Sequence, residues 1–460
     1  MGNTLKNPVT DKETITGTLS SHPRQPESSA PSFAFTSCQG WRITQEDAHF
    51  HQTKLHIPAD SSSHDNKRDD DGEDTKYLHE HAMIGLFDGH GGSFAAEYAS
   101  RNFCSNFYLQ QEYIDYCRKY LDRQRKMQGS RTRKKKKGKK LRNKDDFSVW
   151  TKKVQVLDQD GSLLELLKRA LKKTFLEVDR KMLVAMKQMT QHANAVVKVD
   201  DWKLTDSSFD LMDAGCAALV VLLTPNHIIC ANAGDCRAIL CKRPSSVLQM
   251  KKAARTRPDK KSIHKNENRP DVIPLSFDHK PDNPAEEKRI VQAGGSVSGG
   301  KVDGMLALSR GLGDFSFKDH ESILNLLSKE GMSSCNGSKT DTGCIPPEQQ
   351  KVCPLPDFVA VDRDEMNELF LAAACDGIWD VVTNGQCANL ISTIFEDGES
   401  ELGVLSEEVI NVCLKKGSRD NMSIFIVKFR SQEISSCGRI GRGSTAAKLN
   451  KKMERYNYSI

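Results

Sequence analysis

Three apolar runs in this chain each meet an aspartate at one end, and that arrangement constrains the fold more than any other feature. The stretch 81–92, HAMIGLFDGHGG, reads as a buried strand through Met83, Ile84, Leu86 and Phe87, then places Asp88 and His90 among glycines that let the backbone turn sharply. A second run, 369–375, ends in Asp376 and Gly377, with Asp380 close behind. Asp420 stands just ahead of a third run, 422–429. An Asp-Gly pair after a strand is ordinarily only a turn. Three aspartates at three strand ends imply convergence instead. Carboxylates gathered in a dry site repel one another, and a hard divalent cation that prefers oxygen ligands relieves the repulsion. The pattern therefore points to Mg2+ or Mn2+.

The 460 residues suffice for one large or two ordinary domains, and the net charge of +6 is modest and unevenly placed. Fourteen cysteines without a paired framework, and no visible secretory signal, favour free thiols in a reducing compartment. No apolar run reaches the length of a membrane span. A protein of the cytoplasm or nucleus is the resulting expectation.

Along the chain, residues 1–32 are polar and rich in Ser, Thr and Pro, which reads as a flexible arm. Gly2 follows Met1 as in a myristoylation motif, although Lys6 stands where that motif has a hydroxyl residue. Arg42 precedes the adjacent acids Glu46 and Asp47. A guanidinium can grip phosphate bidentately, and carboxylates can accept hydrogen bonds from a polarised water, although an ordinary solvated turn would look the same. Ser93 and Ser162 open helices, and Leu163, Leu167, Leu171, Phe175, Val178 and Met182 recur at helical spacing as a core stripe. Between the two helices lies a lysine-rich, aromatic-free run, residues 131–144. It reads either as a solvated insert or as a patch for nuclear import, anionic lipid or RNA.

These motifs, in their order, resemble the metal-dependent protein phosphatases of the PP2C family. The likeness covers roughly residues 33–429. It rests on GWR with EDAH at 40–49, FDGHGG at 87–92, GDCR at 234–237, DHKP at 278–281, AGG at 293–295, LSRGLGDF at 308–315, CDGIWD at 375–380 and SRDNMS at 418–423. The resemblance implies an α+β fold, an α/β/β/α sandwich of two antiparallel sheets flanked by helices. It also implies a centre of two Mg2+ or Mn2+ ions, and hydrolysis of phosphoserine and phosphothreonine in proteins.

By the same resemblance Asp88 bridges the two ions, the Gly89 carbonyl completes one shell and Asp376 and Asp420 serve the other. Glu46 and Asp47 act through water, Arg42 holds the phosphate and His90 is the general acid. A third, weaker ion would involve Asp213 and Asp380. Yet the chain departs from the family here, since Cys216 and Ala217 replace the usual hydroxyls and Asp213 sits at an unexpected spacing from Gly215. Asp314 is expected to be supporting, and the Asp235 and Arg237 pair to be a structural turn.

The expected phosphatase domain spans 33–430, with inserts at about 58–76, 126–146, 244–272 and 316–356 and a basic flexible tail at 431–460. Expected partners are phosphorylated proteins, with an anionic membrane surface reached through an acylated Gly2 and the 131–144 run. Nucleic acid is not expected, and the expected state is a monomer. A catalytically silent phosphoprotein-binding regulator is the alternative; the intact Asp88, Gly89, His90, Asp376 and Asp420 argue against it.

Overall fold

A computed structural model describes residues 4–19, 30–59, 76–135, 161–192, 211–244, 269–325 and 345–432. The strands are β1 Thr4–Thr18, β2 Ser32–Arg42, β3 Ala48–Gln52, β4 Leu55–His56, β5 Tyr77–Leu78, β6 Ala82–His90, β7 Gly215–Leu223, β8 His227–Ala233, β9 Arg237–Lys242, β10 Asp271–Pro274, β11 Val297–Ser298, β12 Lys301–Val302, β13 Leu312–Gly313, β14 Asp357–Asp362, β15 Glu368–Ala374 and β16 Met422–Lys428. The helices are α1 Phe94–Tyr108, α2 Gln111–Lys135, α3 Ser162–His192, α4 Pro284–Gln292, α5 His320–Asn325, α6 Asp376–Trp379, α7 Asn384–Glu396 and α8 Leu402–Lys415.

One six-stranded sheet runs β1-β2-β16-β15-β9-β10. The other runs β14-β8-β7-β6-β3, with β13 pairing β7. Within these two sheets every strand pairing among the described residues is antiparallel. The apolar runs are continuous because the central strands are covered on both faces. Along β7, Ala218, Val220 and Leu222 face α1 and α3, whereas Ala217, Leu219 and Val221 face the other sheet. Along β16, Ile424 and Ile426 meet the layer of α7 and α8, while Phe425 and Val427 fill the space between the sheets. This period of two yields three apolar layers inside four layers of secondary structure. The stripe of α3 from Leu163 to Met182 is buried against its sheet, as its spacing predicts.

The arm expected over 1–32 is corrected over 4–19, where β1 pairs with β2 from Thr4↔Arg42 to Thr18↔Ser32 and Leu19 is buried; its residues 1–3 and 20–29 lie outside the described residues. The residues of β1 are mostly polar because an edge strand is held chiefly by its backbone ladder and shows one face to solvent. The β-branched threonines, with Val9 and Ile15, suit that role. The insert expected at about 126–146 is described only in its first part. The backbone of α2 stays helical through Lys135, into the basic run, since Lys and Arg are good helix formers. The rest of the run, Gly2, residues 60–75, 245–268, 326–344 and the tail from 433 lie outside the described residues. The other inserts are shorter at their margins than expected. Asp271 and Val272 pair with β9, and Val352 and Cys353 are buried. The eleven described cysteines are all free and buried.

Candidate metal centre

The aspartates of the sequence pattern lie at one end of the sandwich. β6 delivers Asp88, Gly89 and His90 at its last three positions, Asp376 follows β15, and Asp420 lies two residues before β16. Because β16 pairs with both β2 and β15, the end of β2 brings in Arg42, whose Nη2 donates to Asp420 Oδ2 at 2.5 Å. The two side chains remain 39% and 29% exposed, so this pair faces the mouth of the site.

Local packing explains the glycines. A Cβ at Gly89 would overlap the Glu46 carbonyl, and one at Gly377 would overlap the Asn421 carbonyl. Asn421 ties the loop after β2 to β16. Its Oδ1 accepts from Glu46 N at 3.0 Å, and its Nδ2 donates to the carbonyls of Gln39 and Thr44 at 2.8 and 2.9 Å. Asp47 is thereby carried across the gap between the sheets, where its Oδ2 accepts from Ser423 Oγ at 2.6 Å. Glu46 turns its carboxylate to the Thr44 hydroxyl at 2.7 Å.

Donor atoms of Asp47, Asp88 and Cys375 lie within 4.8 Å of one another, and the Asp376 N–H points at Asp88 Oδ2 from 3.4 Å. Burial, and then Asp376, Asp47, Asp235 and Asp420, push the Asp88 carboxyl well above the usual carboxylate range. Asp376 is pushed up to about 8 by burial and by Asp235, Asp420 and Asp380. Asp47 is pushed up to about 6, chiefly by burial, with Asp420 and Glu46 adding to it against the Ser423 hydrogen bond. Asp47 Oδ1 is buried and has no hydrogen-bond partner among the described residues. Acids that repel in this way, with an unmatched buried oxygen among them, fit a hard divalent cation.

His90 donates from Nε2 to Asp314 Oδ1 at 2.5 Å, and Asp314 is fully buried. Burial works to lower the imidazole pKa, but the charge and hydrogen bond of Asp314 outweigh it, so the net shift is upward. Asp380, more exposed, joins the same field through Asp235 and Asp420. Asp213 is placed differently. Its Oδ1 accepts from Ser316 Oγ at 2.5 Å, and no described contact joins it to Asp376 or Asp380.

One participant escaped the sequence reading. Asp235, expected in a structural turn, acts on Asp88, Asp376 and His90 and pairs with Lys280 Nζ at 2.6 Å. The signal was present, for Gly234 and Asp235 follow β8 as Asp88 and Asp376 close or follow β6 and β15. Arg237 is structural, as expected: it is bidentate to Asp278, at 2.9 and 2.8 Å, and lies over the Trp379 ring.

The sequence model of the protein phosphatase 2C family matches residues 134–422. Among relatives, protein phosphatase ppm-1.A of Caenorhabditis elegans is 28% identical over 429 residues, 93% of this chain and 64% of that protein. Protein phosphatase 1A of Mus musculus is 26% identical over 436 residues, 95% of this chain and 80% of that protein. In fold, the serine-threonine phosphatase 2C structure from Toxoplasma gondii aligns with a TM-score of 0.51 at 16% identity, covering 91% of this chain and 99% of that one. Fold, acid cluster and relatives together define a protein phosphatase. The chain belongs to the protein phosphatase 2C family.

Proposed function

We propose that this protein is a metal-dependent serine/threonine phosphatase acting on phosphoproteins and holding two Mg2+ or Mn2+ ions. The observation that carries the proposal is the convergence of Asp47, Asp88, Asp376 and Asp420, whose mutual repulsion calls for a cation. Asp88, the Gly89 carbonyl, Asp376 and Asp420 would hold the ions, with Asp47 and Glu46 beside them. Such ions supply a water acidified enough to attack phosphorus near neutral pH, and charge to neutralise the phosphoryl oxygens.

The protein's own groups do the rest. Arg42, at the mouth, orients the phosphate through its fork of N–H donors while Asp420 fixes the guanidinium. His90 has one ring nitrogen committed to Asp314 and offers the other to the departing seryl or threonyl oxygen, which needs a proton to leave. With such a water as the attacking group, no cysteine or serine nucleophile is needed. Gly2 acylation, membrane contact through the 131–144 run, a monomeric state and a cytoplasmic or nuclear location stay with this proposal as expectations from sequence.

Two variants test the reading on a phosphoserine peptide and on p-nitrophenyl phosphate, whose phenolate leaves without a proton. His90→Ala should lose about 10²–10⁴-fold on the peptide and far less on the aryl ester. Asp88→Asn should lose on both, with partial rescue by excess Mn2+. Equal losses for His90→Ala on the two substrates would remove it as the acid. Full turnover by wild type in EDTA would remove the metals.

A further inference from the structure

Beneath His90 lies a buried polar chain that the reaction as described does not use. Asp314 adopts a left-handed backbone, φ 53, and follows Gly313 at φ 79. A non-glycine residue in that region is strained and persists only where its surroundings fix it. β13 supplies part of the fixing, since Leu312 and Gly313 pair with Cys216 and Gly215 and Asp314 N donates to Ala214 O at 3.0 Å. Gly215 must lack a side chain, because a Cβ there would overlap the Asp314 carboxylate.

The remaining restraint comes from α3. Asp179, 1% exposed, accepts with one oxygen from both Gly313 N at 2.8 Å and Lys318 Nζ at 2.9 Å. The Lys318 ammonium is wholly buried. It also donates to Gly311 O at 2.9 Å and lies 5.4 Å from the centre of the Phe315 ring. One lysine and one aspartate thus brace the loop 311–318 on both sides of Asp314. A buried charge pair is weak evidence for stability, since apolar groups of similar volume often serve as well. Its location around the one carboxylate that grips His90 suggests a different purpose.

We propose that Asp179 and Lys318 are positioning residues for His90: they hold the strained Gly313 and Asp314 segment so that the Asp314 carboxylate fixes the imidazole against the departing oxygen. The functional part of this inference rests on His90 acting as the general acid. Outer partners of a functional histidine typically carry about 10–100-fold in activity.

The test uses the full chain with Lys318→Met, Asp179→Asn, the double variant and His90→Ala. The first readout is the low-field imidazole N–H proton resonance of the His90 and Asp314 hydrogen bond, assigned by its loss in His90→Ala. The second is the ratio of kcat/KM on the phosphoserine peptide to that on p-nitrophenyl phosphate. Lys318→Met should shift or broaden the resonance and lower the ratio about tenfold, and it should lower the ratio no further in a His90→Ala background. The double variant, with no unpaired buried charge, keeps the test open if Lys318→Met does not fold. An unmoved resonance in the folded variants overturns the proposal, as does a fall in ratio that adds in full to that of His90→Ala. If the resonance moves but His90→Ala itself shows no preference between substrates, the acid role fails while the positioning of the ring stands.

Discussion

Metal binding should expel protons from the acid cluster, and the structure sets how many. In the metal-free protein Asp376 titrates at about 8 and Asp47 at about 6, while Asp88 is held well above the usual carboxylate range. At pH 7 a group titrating at about 8 is protonated about nine times in ten, and a carboxylate must give up its proton to become a ligand. Asp376 alone therefore predicts release of about 0.9 proton per protein at pH 7, and Asp88 adds to it. Apparent Mn2+ affinity should rise about tenfold per pH unit for each proton released between pH 6 and 7, and the part due to Asp376 should flatten above about 8.

Calorimetric titration with Mn2+ in two buffers of different ionisation enthalpy reads the proton count directly. Asp376→Asn should cut the count by about one. The same shift has a consequence without metal. The folded state keeps a proton that the unfolded chain has already lost, so metal-free stability should fall as pH rises from about 4 towards 8. Zero proton release, together with a pH-independent affinity from 6 to 8, would refute the reasoning. The carboxylates would then have to be farther apart, or better solvated, than the geometry gives.

Three further outcomes are expected. His81 is buried between Tyr116 Oη at 2.6 Å and the His79 carbonyl at 2.7 Å, and burial lowers it to about 4. Its folded pKa lies below the unfolded value, so stability should drop by at most about 3 kcal/mol as pH falls from 6.5 to 4. Urea midpoints of wild type and His81→Gln should converge across that window. Gly215→Ala should damage the hold on His90, read as a selective loss on the phosphoserine peptide, because the new methyl occupies the space of the Asp314 carboxylate. Removing residues 1–19 should cost at least the burial of Leu19, about 1.5–3 kcal/mol. It should also promote self-association by baring the edge of β2, seen as a lower thermal midpoint and a larger species by light scattering.

What the sequence disclosed follows the physics of each element. Strands buried on both faces, such as β7 and β16, announce themselves as unbroken apolar runs, and the acids that interrupt such runs stand out for the same reason. β1 carries no such signal, because its stability comes from pairing with β2 and from packing on one face only. Asp235 was visible as an aspartate just past a strand but was masked by its neighbour Arg237, whose bond to Asp278 is structural. Its field on Asp376 depends on how β9 pairs with β15, which no local pattern reveals. Asp179 offered still less. On α3 it reads as one more polar position, and its role appears only when β13 folds back onto it.

The insertion of β16 between β2 and β15 has a consequence for how the molecule comes into being. Arg42 and Asp47 emerge early in synthesis, yet their partners Asp420 and Ser423 are joined some 376 to 378 positions later. A sheet closed by so distant a strand folds slowly, and until it closes β2 and β15 expose unpaired backbone to any neighbouring chain. No partly made chain can carry a working centre. A chain that ends before β16 therefore lacks both the Arg42 to Asp420 and the Ser423 to Asp47 contacts, and it leaves the facing edges of β2 and β15 without the strand that joins them.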